Sequence, residues 1–430
     1  MKKIKFIVVG YGNRAAIYCR NAMKLDKNVE FVACVDPDTK KLVKAQKELG
    51  VSSEMCFTDL EELVRYGKIA DCVINGTMDK LHLQTALPFL ELGYDMLLEK
   101  PLTNNAIDLI MLKRTAEKNN CKLITCHVLR YTPFYKKIKE LLLDGAIGKT
   151  VHIETSERVC IPHSSSSYIR GKWNNESVCG SSYLLAKCCH DIDLLCWFNN
   201  STTPETVISF GGRDYLIPEN APKGAGNRCL VDCPHVDDCI YSAKWIYVEN
   251  DYLKHGPWQM VGLDYDTLTK EQKIESLKTD NPHGICAYKI KSDLIDHQEV
   301  MVKFKDGSTA THSLLTTASR ATRSIFIQGT RGEIEGDVVE GKFVLRAFNK
   351  ETLKYDVEEF NFNDRDGETG GHFGGDEGIV RNLLSILKGD KPTVSYSPVQ
   401  DSINGHLLVY AADKSLKENK IINVAEEYGI

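Results

Sequence analysis

A histidine and a lysine in one predicted helix have the side chains that proton transfer from an alcohol requires. Between Leu184 and Leu195 the leucines recur at helical spacing, so Lys187, His190 and Asp191 fall on one face. An imidazole with an ordinary pKa of about 6.5 accepts a proton at neutral pH, and a lysine one turn earlier would lower that pKa and stabilise an alkoxide. We predict that His190 is a general base assisted by Lys187, although a capped His-Asp pair on the surface would leave the same pattern.

A second lysine stands where a predicted strand ends. The strand Asp95–Leu98 is followed by Glu99, Lys100 and Pro101, and parallel sheets bind their ligands at the carboxyl ends of the strands. From that place an ammonium group can reach a bound redox cofactor and hold a substrate hydroxyl, whereas most lysines simply face solvent. We therefore predict that Lys100 orients the hydroxyl whose proton His190 accepts.

An apolar strand at the start of the chain runs into a G-x-G-x-x-A turn between Gly10 and Ala15. Gly10 permits the tight turn, Gly12 lets backbone amides approach phosphate, and the small Ala15 allows the next helix to pack closely on the strand. The N-terminus of that helix adds oriented N–H groups and a positive dipole. These features predict a site for the pyrophosphate of a dinucleotide, with Asn13 and Arg14 beside it, although such turns also occur for packing reasons alone.

Asp36 follows the second predicted strand, Val29–Val35, at the spacing of a carboxylate that accepts both ribose hydroxyls. That carboxylate would repel a 2′-phosphate, which favours NAD over NADP, although Arg14 with Lys40 or Lys41 could accommodate the phosphate. An ordinary turn with an Asx cap is the simpler alternative at this position.

Four motifs together resemble the Gfo/Idh/MocA family of oxidoreductases, which includes glucose-fructose oxidoreductase and inositol dehydrogenase, over nearly the whole chain. The resemblance implies an NAD-binding Rossmann domain, a mostly antiparallel sheet domain, and a sugar or polyol bound between the two. It implies catalytic roles for Lys100 and His190, and it places Thr77, His82 and Glu99 at the cofactor. The motifs are Gly10-Tyr11-Gly12-Asn13-Arg14-Ala15, Thr77 with His82 and Ala86, Glu99-Lys100-Pro101-Leu102, and His190-Asp191-Ile192-Asp193.

Ala186 departs from the family pattern, because many members carry an aspartate four residues before the histidine. Lys187 stands directly beside this position. We infer a subgroup in which Lys187 replaces the missing carboxylate and grips a substrate hydroxyl.

Polar and aromatic residues elsewhere are candidates for sugar contacts. Two of them follow the fifth strand, where the resemblance places the seam between cofactor and substrate. Four form a cluster whose composition suits stacking on a sugar and hydrogen bonding to it. One lies on the helix of the base, and one lies in a glycine-rich loop whose Asp376 is at least as suited to be a helix N-cap. The candidates are Arg130, Tyr131, His163, Tyr168, Arg170, Trp173, Asp191 and His372.

Cys229, Cys233, His235 and Cys239 offer four soft ligands, enough for a closed structural zinc site. Their spacing is not that of a standard zinc finger, and reduced thiols in an irregular insertion are the simpler interpretation. No metal is therefore assigned, and NAD is the one cofactor that the sequence predicts.

The elements that must position these residues fall into two groups. Up to about Cys126, short β-rich runs alternate with amphipathic helices, which is typical of a doubly wound parallel sheet. We assign residues 1–127 to an α/β Rossmann domain. Its predicted strands are Ile4–Val9, Val29–Val35, Ala70–Ile74, Asp95–Leu98 and Lys122–Cys126.

Residues 128–430 are assigned to an α+β domain that binds substrate and forms oligomers, with a loop-rich insertion at about 211–282. Segments that alternate apolar and polar residues predict a large, mostly antiparallel sheet with one solvated face. A serine-rich loop is expected at Pro162–Tyr168. The predicted helices are Thr132–Leu143, Asp376–Leu387 and Asp401–Glu418, and the predicted strands are Thr150–Arg158, Glu299–Phe304, Thr309–Thr316, Ser324–Gln328 and Lys342–Ala347.

Composition limits the classes of partner. A chain of 430 residues with 42% hydrophobic residues can bury two domains. The net charge of −5 gives no footprint for nucleic acid or anionic lipid, and no apolar run approaches the roughly 18 residues that span a bilayer. Fifteen scattered cysteines favour a reducing cytoplasm over a disulfide framework. A small carbohydrate is the expected partner, and the family's architecture suggests a homodimer or homotetramer.

These features predict an NAD-linked dehydrogenase that oxidises a secondary hydroxyl of a sugar, glycoside or cyclitol to a ketone, with C3 as one candidate position. The alternative is a glycosidase that keeps its NAD, oxidises C3 transiently and eliminates the aglycone once the C2 proton has become acidic. A sensor that only binds a dinucleotide is a third possibility, in which Lys100 and His190 would not matter.

Overall fold

The first 125 residues build a parallel sheet in the computed structural model, which describes residues 3–250, 268–362 and 372–429. The strands are β1 (Ile4–Val9), β2 (Val29–Val35), β3 (Cys56–Phe57), β4 (Cys72–Asn75), β5 (Asp95–Leu98) and β6 (Leu123–Thr125). Their order, β3-β2-β1-β4-β5-β6, is that of a Rossmann fold, so the predicted doubly wound sheet is confirmed. The sixth strand missing from the prediction is β3, which has two residues.

Helices cover both faces of this sheet, and β1 is therefore buried along nearly its whole length. Short polar side chains begin several of the helices: Asp38 accepts from the Lys40 amide and Asn105 from the Asp108 amide. The helices are α1 (Asn13–Leu25), α2 (Thr39–Leu49), α3 (Leu60–Val64), α4 (His82–Glu91) and α5 (Ala106–Lys118).

A second, nine-stranded sheet follows, and it is mostly antiparallel as predicted. Its strands are β7 (Thr150–Cys160), β8 (Pro204–Gly212), β9 (His297–Phe304), β10 (Thr309–Ala318), β11 (Thr322–Gly329), β12 (Gly332–Asp337), β13 (Lys342–Asn349), β14 (Lys354–Asn361) and β15 (Ile422–Asn423). They lie in the order β14-β13-β12-β11-β7-β10-β9-β8-β15. Among these described strands, the parallel pair is β7 with β10.

The remaining helices join the two sheets. Helix α11 packs its buried Ile379 and Leu383 into the core beside α1, and α12 packs on α9 and β8. The C-terminal part of the chain therefore closes over the first sheet. These helices are α6 (Pro133–Leu143), α7 (Ile161–Ser164), α8 (Glu176–Cys179), α9 (Cys189–Phe198), α10 (Lys270–Lys278), α11 (Gly375–Leu387), α12 (Val399–Glu418) and α13 (Val424–Tyr428).

The serine-rich segment after β7 is helical, so the predicted loop is wrong. It consists of α7 and a π-helical turn, Ser165–Ile169. The hydroxyls of Ser164 and Ser166 donate to the carbonyls of Ile161 and Pro162 about one turn earlier, which satisfies them inside a helix. A second π-helical turn, Leu184–Cys188, leads into α9, where one continuous helix was predicted.

The predicted insertion at about 211–282 contains residues 251–267, which lie outside the described residues. Its described part has a small core of its own, formed by Cys229, Ala243, Ile246, Tyr247 and Leu277. The helices that the structure describes include none that is both long and apolar enough to cross a membrane.

Candidate active site

The glycine turn between β1 and α1 has the shape that a dinucleotide requires. Gly10 has a φ of +77°, and a Cβ there would lie 2.9 Å from atoms of Thr77. Among the described residues, a Cβ on Gly12 would meet Gly76 O alone, at 3.9 Å, and Gly12 is the N-cap of α1, which has no side-chain cap. Open space therefore lies in front of uncapped helix amides, which fits a pyrophosphate.

Asp36 lies at the carboxyl end of β2, next to the glycine turn. Its buried carboxylate accepts hydrogen bonds from the amides of Tyr11 and Asp38, each at 2.9 Å, and Lys41 Nζ lies 3.5 Å away. The Asx turn is therefore present. It holds the carboxylate beside the glycine turn between Gly10 and Ala15, called the glycine cradle below, and it does not exclude a contact with ribose.

The guanidinium of Arg14 is paired with two carboxylates. The side chain donates to both carboxylate oxygens of Asp376, at 2.6 and 3.0 Å, and to Glu99 at 2.9 Å. Burial alone raises the pKa of Asp376, but His372 and Arg14 outweigh it and hold that pKa well below its usual range. The ion pair with Asp376 fastens α11 to α1, and the contact of Arg14 with the cofactor stays a prediction. Asp376 is not an N-cap either, since Gly374 occupies that position.

His82 is also a positioning residue. Its ring is fully buried, with Nδ1 2.6 Å from Pro101 O and Nε2 3.1 Å from Thr77 O. These contacts place both nitrogens against carbonyl oxygens, and the cofactor contact that the resemblance implies for His82 stays a prediction. The ring instead ties Thr77, at the glycine turn, to the segment that carries Lys100.

Lys100 and the helix of His190 meet directly. Lys100 Nζ donates to the carbonyl of Ala186 at 2.6 Å. Ala186 is the position that departs from the pattern of the resemblance, and here its backbone oxygen anchors the ammonium. The contact brings the carboxyl end of β5 within one helical turn of His190.

His190 is buried, with 5% of its surface exposed. Burial lowers its pKa well below 6.5, and the positive charge of Lys100 lowers it further. Nδ1 is buried and has no hydrogen-bond partner among the described residues, which leaves Nε2 as the nitrogen for exchange with a ligand. The ring is therefore neutral at neutral pH and suited to accept a proton.

Two further histidines flank this ring. His372 lies 6.1 Å from it, centroid to centroid, and His127 lies 5.9 Å away. His127 Nε2 is 3.4 Å from Asp193 Oδ1, and its ring is fully buried behind His190. His127 directly follows the last predicted strand of the first sheet and is not among the predicted site residues.

Lys187 is held by acidic groups of the second sheet. Its Nζ lies 2.9 Å from Glu157, which also pairs with Arg323. Burial tends to raise the pKa of Glu157, and Arg323 and Lys187 together lower it below its usual range. Lys187 adjoins His163, whose pKa is lowered by burial first and then by that ammonium. The lysine whose charge acts most on His190 is thus Lys100.

An aromatic wall stands next to His163. Tyr168 is stacked between Tyr183, at 4.3 Å, and Trp173, at 5.8 Å, and its ring lies 5.8 Å from His163. Trp173 Nε1 donates a hydrogen bond of 3.3 Å to Asp79, which lies between β4 and α4 of the first sheet. The wall therefore joins the two halves of the molecule beside the site.

Four of the predicted sugar contacts have partners inside the protein, and their contact with a sugar stays a prediction. Arg130 is fully buried and pairs with Asp193 at 2.6 and 2.7 Å and with Asp401. The Tyr131 hydroxyl is bonded to Ser397.

Asp191 is fully buried against Arg323, at 3.0 Å, and burial raises its pKa to about 7. Arg170 donates to the carbonyls of Ile285 and Tyr241, both at 2.7 Å, within the insertion. The partners of these side chains lie far away in the sequence, so a local sequence pattern does not predict them.

Family models match most of the chain. Residues 4–127 match a model described as "Oxidoreductase family, NAD-binding Rossmann fold", and residues 139–424 match one described as "Oxidoreductase family, C-terminal alpha/beta domain". The chain is similar to "Putative oxidoreductase YteT" of Bacillus subtilis, with 25% identity over 402 residues that cover 89% of each protein. It is also similar to inositol 2-dehydrogenase of Corynebacterium glutamicum, with 21% identity over 49% of this chain and 58% of that protein.

Solved structures share the fold. Levoglucosan dehydrogenase in complex with NADH and levoglucosan aligns over 98% of this chain and 100% of its own, with a TM-score of 0.69 and 14% identity. An NAD binding oxidoreductase from Klebsiella pneumoniae aligns over 98% and 99%, with a TM-score of 0.71 and 16% identity. The two family models leave little of the sequence unmatched, and the protein therefore belongs to the Gfo/Idh/MocA family of NAD-binding oxidoreductases.

Proposed function

We propose that this protein interconverts a secondary hydroxyl of a sugar, glycoside or cyclitol and the corresponding ketone, with NAD as the redox partner. The observation that carries the proposal is the hydrogen bond from Lys100, which follows β5 of the parallel sheet, to the carbonyl of Ala186 in the turn that leads into the helix of His190. The names of similar proteins support the substrate class: one acts on inositol, and another is seen with levoglucosan and NADH.

The chain supplies the groups for this chemistry. Gly10, Gly12 and Asp36 would hold the cofactor, which when bound supplies the hydride acceptor. Lys100 donates a hydrogen bond to the substrate hydroxyl and stabilises negative charge as it develops on that oxygen. His190 accepts the hydroxyl proton at Nε2.

Side chains on the far side of His190 would select the substrate. These side chains offer hydrogen-bond donors and one aromatic face, and they are positioned by α7, the π-helical turns and the residues before α11. They are His163, Lys187, Trp173 and His372. His372 and Phe373 adopt φ values of +51° and +55°, which are costly for side-chain-bearing residues. The glycines at 370 and 371 that precede them lie outside the described residues.

A panel of sugars, glycosides and cyclitols tests the proposal. Nicotinamide absorbance and product identity are recorded in the same reaction. A ketone formed together with an equal amount of NADH supports it, and no turnover of any polyol by protein that binds NAD contradicts it.

Cleavage of a glycoside without net change in NADH would instead support the second candidate, an NAD-retaining glycosidase. A relative named 2,7-anhydro-N-acetylneuraminate hydratase, from Mediterraneibacter gnavus, favours keeping this candidate, with 26% identity over 36% of this chain and 40% of that protein. In the NAD-retaining glycosidase reaction, a base removes the proton at C2 after transient oxidation at C3. His190 would serve as the base in the oxidation and again in the removal of the C2 proton.

The acid limb of the pH profile of kcat/KM is expected well below pH 6.5. His190 must be neutral to accept a proton, and burial together with the neighbouring Lys100, His127, Arg323 and His372 lowers its pKa. Activity in the oxidation direction should therefore persist as pH falls through 6.5 and disappear at lower pH, as measured by kcat/KM. Lys100→Met removes one positive charge, so the limb of its residual activity should move to higher pH. A wild-type limb at or above pH 6.5 would contradict this assignment.

Asp36 is expected to set the preference for NAD. Asp36→Ala should raise KM for NAD, because the ribose contacts are lost. It should also lower the ratio of kcat/KM for NAD to kcat/KM for NADP about 10-fold or more, because the repulsion of a 2′-phosphate is lost as well. Asp38→Ala, two residues away on the surface, is the matched control and should leave the ratio unchanged. An unaltered ratio in Asp36→Ala would remove the ribose role.

We also propose a cytoplasmic homodimer or homotetramer. All fifteen cysteines are free, as expected in a reducing compartment. The outermost strand β14 carries exposed Tyr355 and Val357 beside Phe348 of β13, an apolar patch suited to burial against a second copy. Sedimentation of the purified protein measures the subunit number, and a monomer at micromolar concentration would contradict the assembly.

A further inference from the structure

Lys172 reaches from the second half of the chain to the first. It lies in the segment before α8, and its ammonium group is 3.5 Å from the Met78 sulfur and 4.1 Å from the centre of the Trp173 ring. Met78 directly follows Thr77, whose atoms a Cβ on Gly10 would meet at 2.9 Å. The side chain therefore ends beside the loop that packs on the glycine cradle.

The ammonium group of Lys172 lies in a cleft and not on an open face. The residue is exposed to solvent, yet burial among the surrounding protein atoms is the largest influence on its pKa and lowers it. Asp79 opposes this shift, whereas the charges of Lys100 and Lys41 lower the pKa further. A free surface lysine would extend into water, so these neighbours show that the side chain is directed inward.

The two lysines that act on Lys172 mark opposite ends of the cofactor site. Lys41 Nζ is 3.5 Å from Asp36, the carboxylate predicted to hold the ribose, and Lys100 stands at the reacting end. Because charges at both ends act on it, the Lys172 ammonium is within reach of the middle of the site. In a dinucleotide the pyrophosphate occupies that middle.

Only weak acceptors surround the ammonium. In the part of the chain that the structure describes, Lys172 forms no ion pair with a carboxylate, and its contacts are a thioether and an indole face. The nearby Asp79 accepts hydrogen bonds from Trp173 Nε1 at 3.3 Å and from the Ser181 hydroxyl at 2.8 Å. The positive charge is therefore available for an anion that enters the cleft.

A carboxylate or phosphate on the substrate is the other anion that such an ammonium could hold. The neighbours of Lys172 favour the cofactor, because Met78 and Asp79 follow β4 and Lys41 follows β2, both strands of the first sheet. The carboxyl ends of those strands are where a parallel sheet of this kind binds a dinucleotide.

We propose that Lys172 binds the pyrophosphate of the NAD cofactor through its ammonium group. It adds a positive charge to the N–H groups at the start of α1, and a charge-assisted hydrogen bond to phosphate is stronger than a neutral one. The inference rests on the NAD site of the proposed function. It adds to that site a residue from outside the Rossmann domain and outside the glycine motif.

Binding of NADH to the full-length chain tests the proposal, with nicotinamide fluorescence as the signal and no substrate present. Lys172→Met should raise the Kd of NADH about 10-fold or more, since one charge-assisted hydrogen bond is lost. The Kd of this variant should also depend less on salt concentration than that of the wild type. Lys172→Arg keeps the charge and should retain most of the affinity.

ADP-ribose identifies the group that Lys172 holds, because it carries the pyrophosphate without the nicotinamide ring. Its Kd, measured by calorimetry, should rise in Lys172→Met by a factor similar to that for NADH. A loss of affinity confined to NADH would place the contact on the nicotinamide half and overturn the proposal. So would an unchanged Kd for both ligands together with a raised KM of the substrate, since the ammonium would then serve the substrate.

Lys80→Met is the matched control. Lys80 is exposed and donates to the carbonyl of Val178 at 3.3 Å, so it also joins the two halves of the molecule. Its loss should leave the Kd of NADH unchanged, and equal weakening by the two variants would show that Lys172 acts only by holding the halves together. These measurements need no turnover, so a failure to find a polyol substrate would contradict the proposed function and leave this result standing.

Discussion

Replacement of His190 by alanine is expected to lower kcat about 100- to 10 000-fold, the range over which a positioned general base contributes to catalysis. The buried ring has no hydrogen-bond partner at Nδ1, so the loss would come from its chemistry rather than from a broken network. The dissociation constant of NADH, measured by fluorescence, should change little because the glycine cradle is untouched. Added imidazole should restore part of the rate.

A matched control is His152→Ala on β7, which is partly exposed and lies outside the site. It should keep wild-type kcat. A His190→Ala variant that turns over at the wild-type rate, while folded and binding NADH, would show that another group takes the proton.

Replacement of Arg130 by methionine is expected to lower the free energy of unfolding by about 3–5 kcal/mol, the cost of removing one partner of a buried ion pair. The side chain is fully buried and donates two hydrogen bonds to Asp193 and one to Asp401. Burial already raises the pKa of Asp193 to about 6 despite Arg130, and without the guanidinium this carboxylate is left uncompensated. Urea denaturation measures the change.

Arg20→Met provides the comparison on the surface. Arg20 is 51% exposed and lies 3.5 Å from Glu48, so its loss should cost less than about 1 kcal/mol. Equal destabilisation by the two variants would contradict a structural role for Arg130 and would favour its assignment as a substrate contact.

The sequence predicts best where chemistry and local backbone coincide. The position of Gly10 has a positive φ and lies in close contact with Thr77, and the glycine motif predicts such a position directly. The alternation of strands and helices likewise identifies the first sheet before its topology is known. Lys100 and His190 were predicted from their places at the end of a strand and on a helix, and the structure brings their segments together, while their catalytic roles stay predictions.

The sequence does not predict partners that lie far away along the chain. Nothing near Arg130 in the sequence shows that Asp193 and Asp401 will enclose it, and Arg14 is captured by Asp376 from the other end of the chain. Burial of a charged side chain is a property of the assembled core, whereas residue type and spacing describe only its neighbours.

A crystal structure with NADH and the substrate that the panel identifies tests the central claim most directly, by the distances from one substrate hydroxyl oxygen to Lys100 Nζ and His190 Nε2. We expect both to be about 2.7–3.2 Å, the length of a hydrogen bond. A substrate bound with its reacting hydroxyl beyond the reach of both groups would contradict the proposed chemistry.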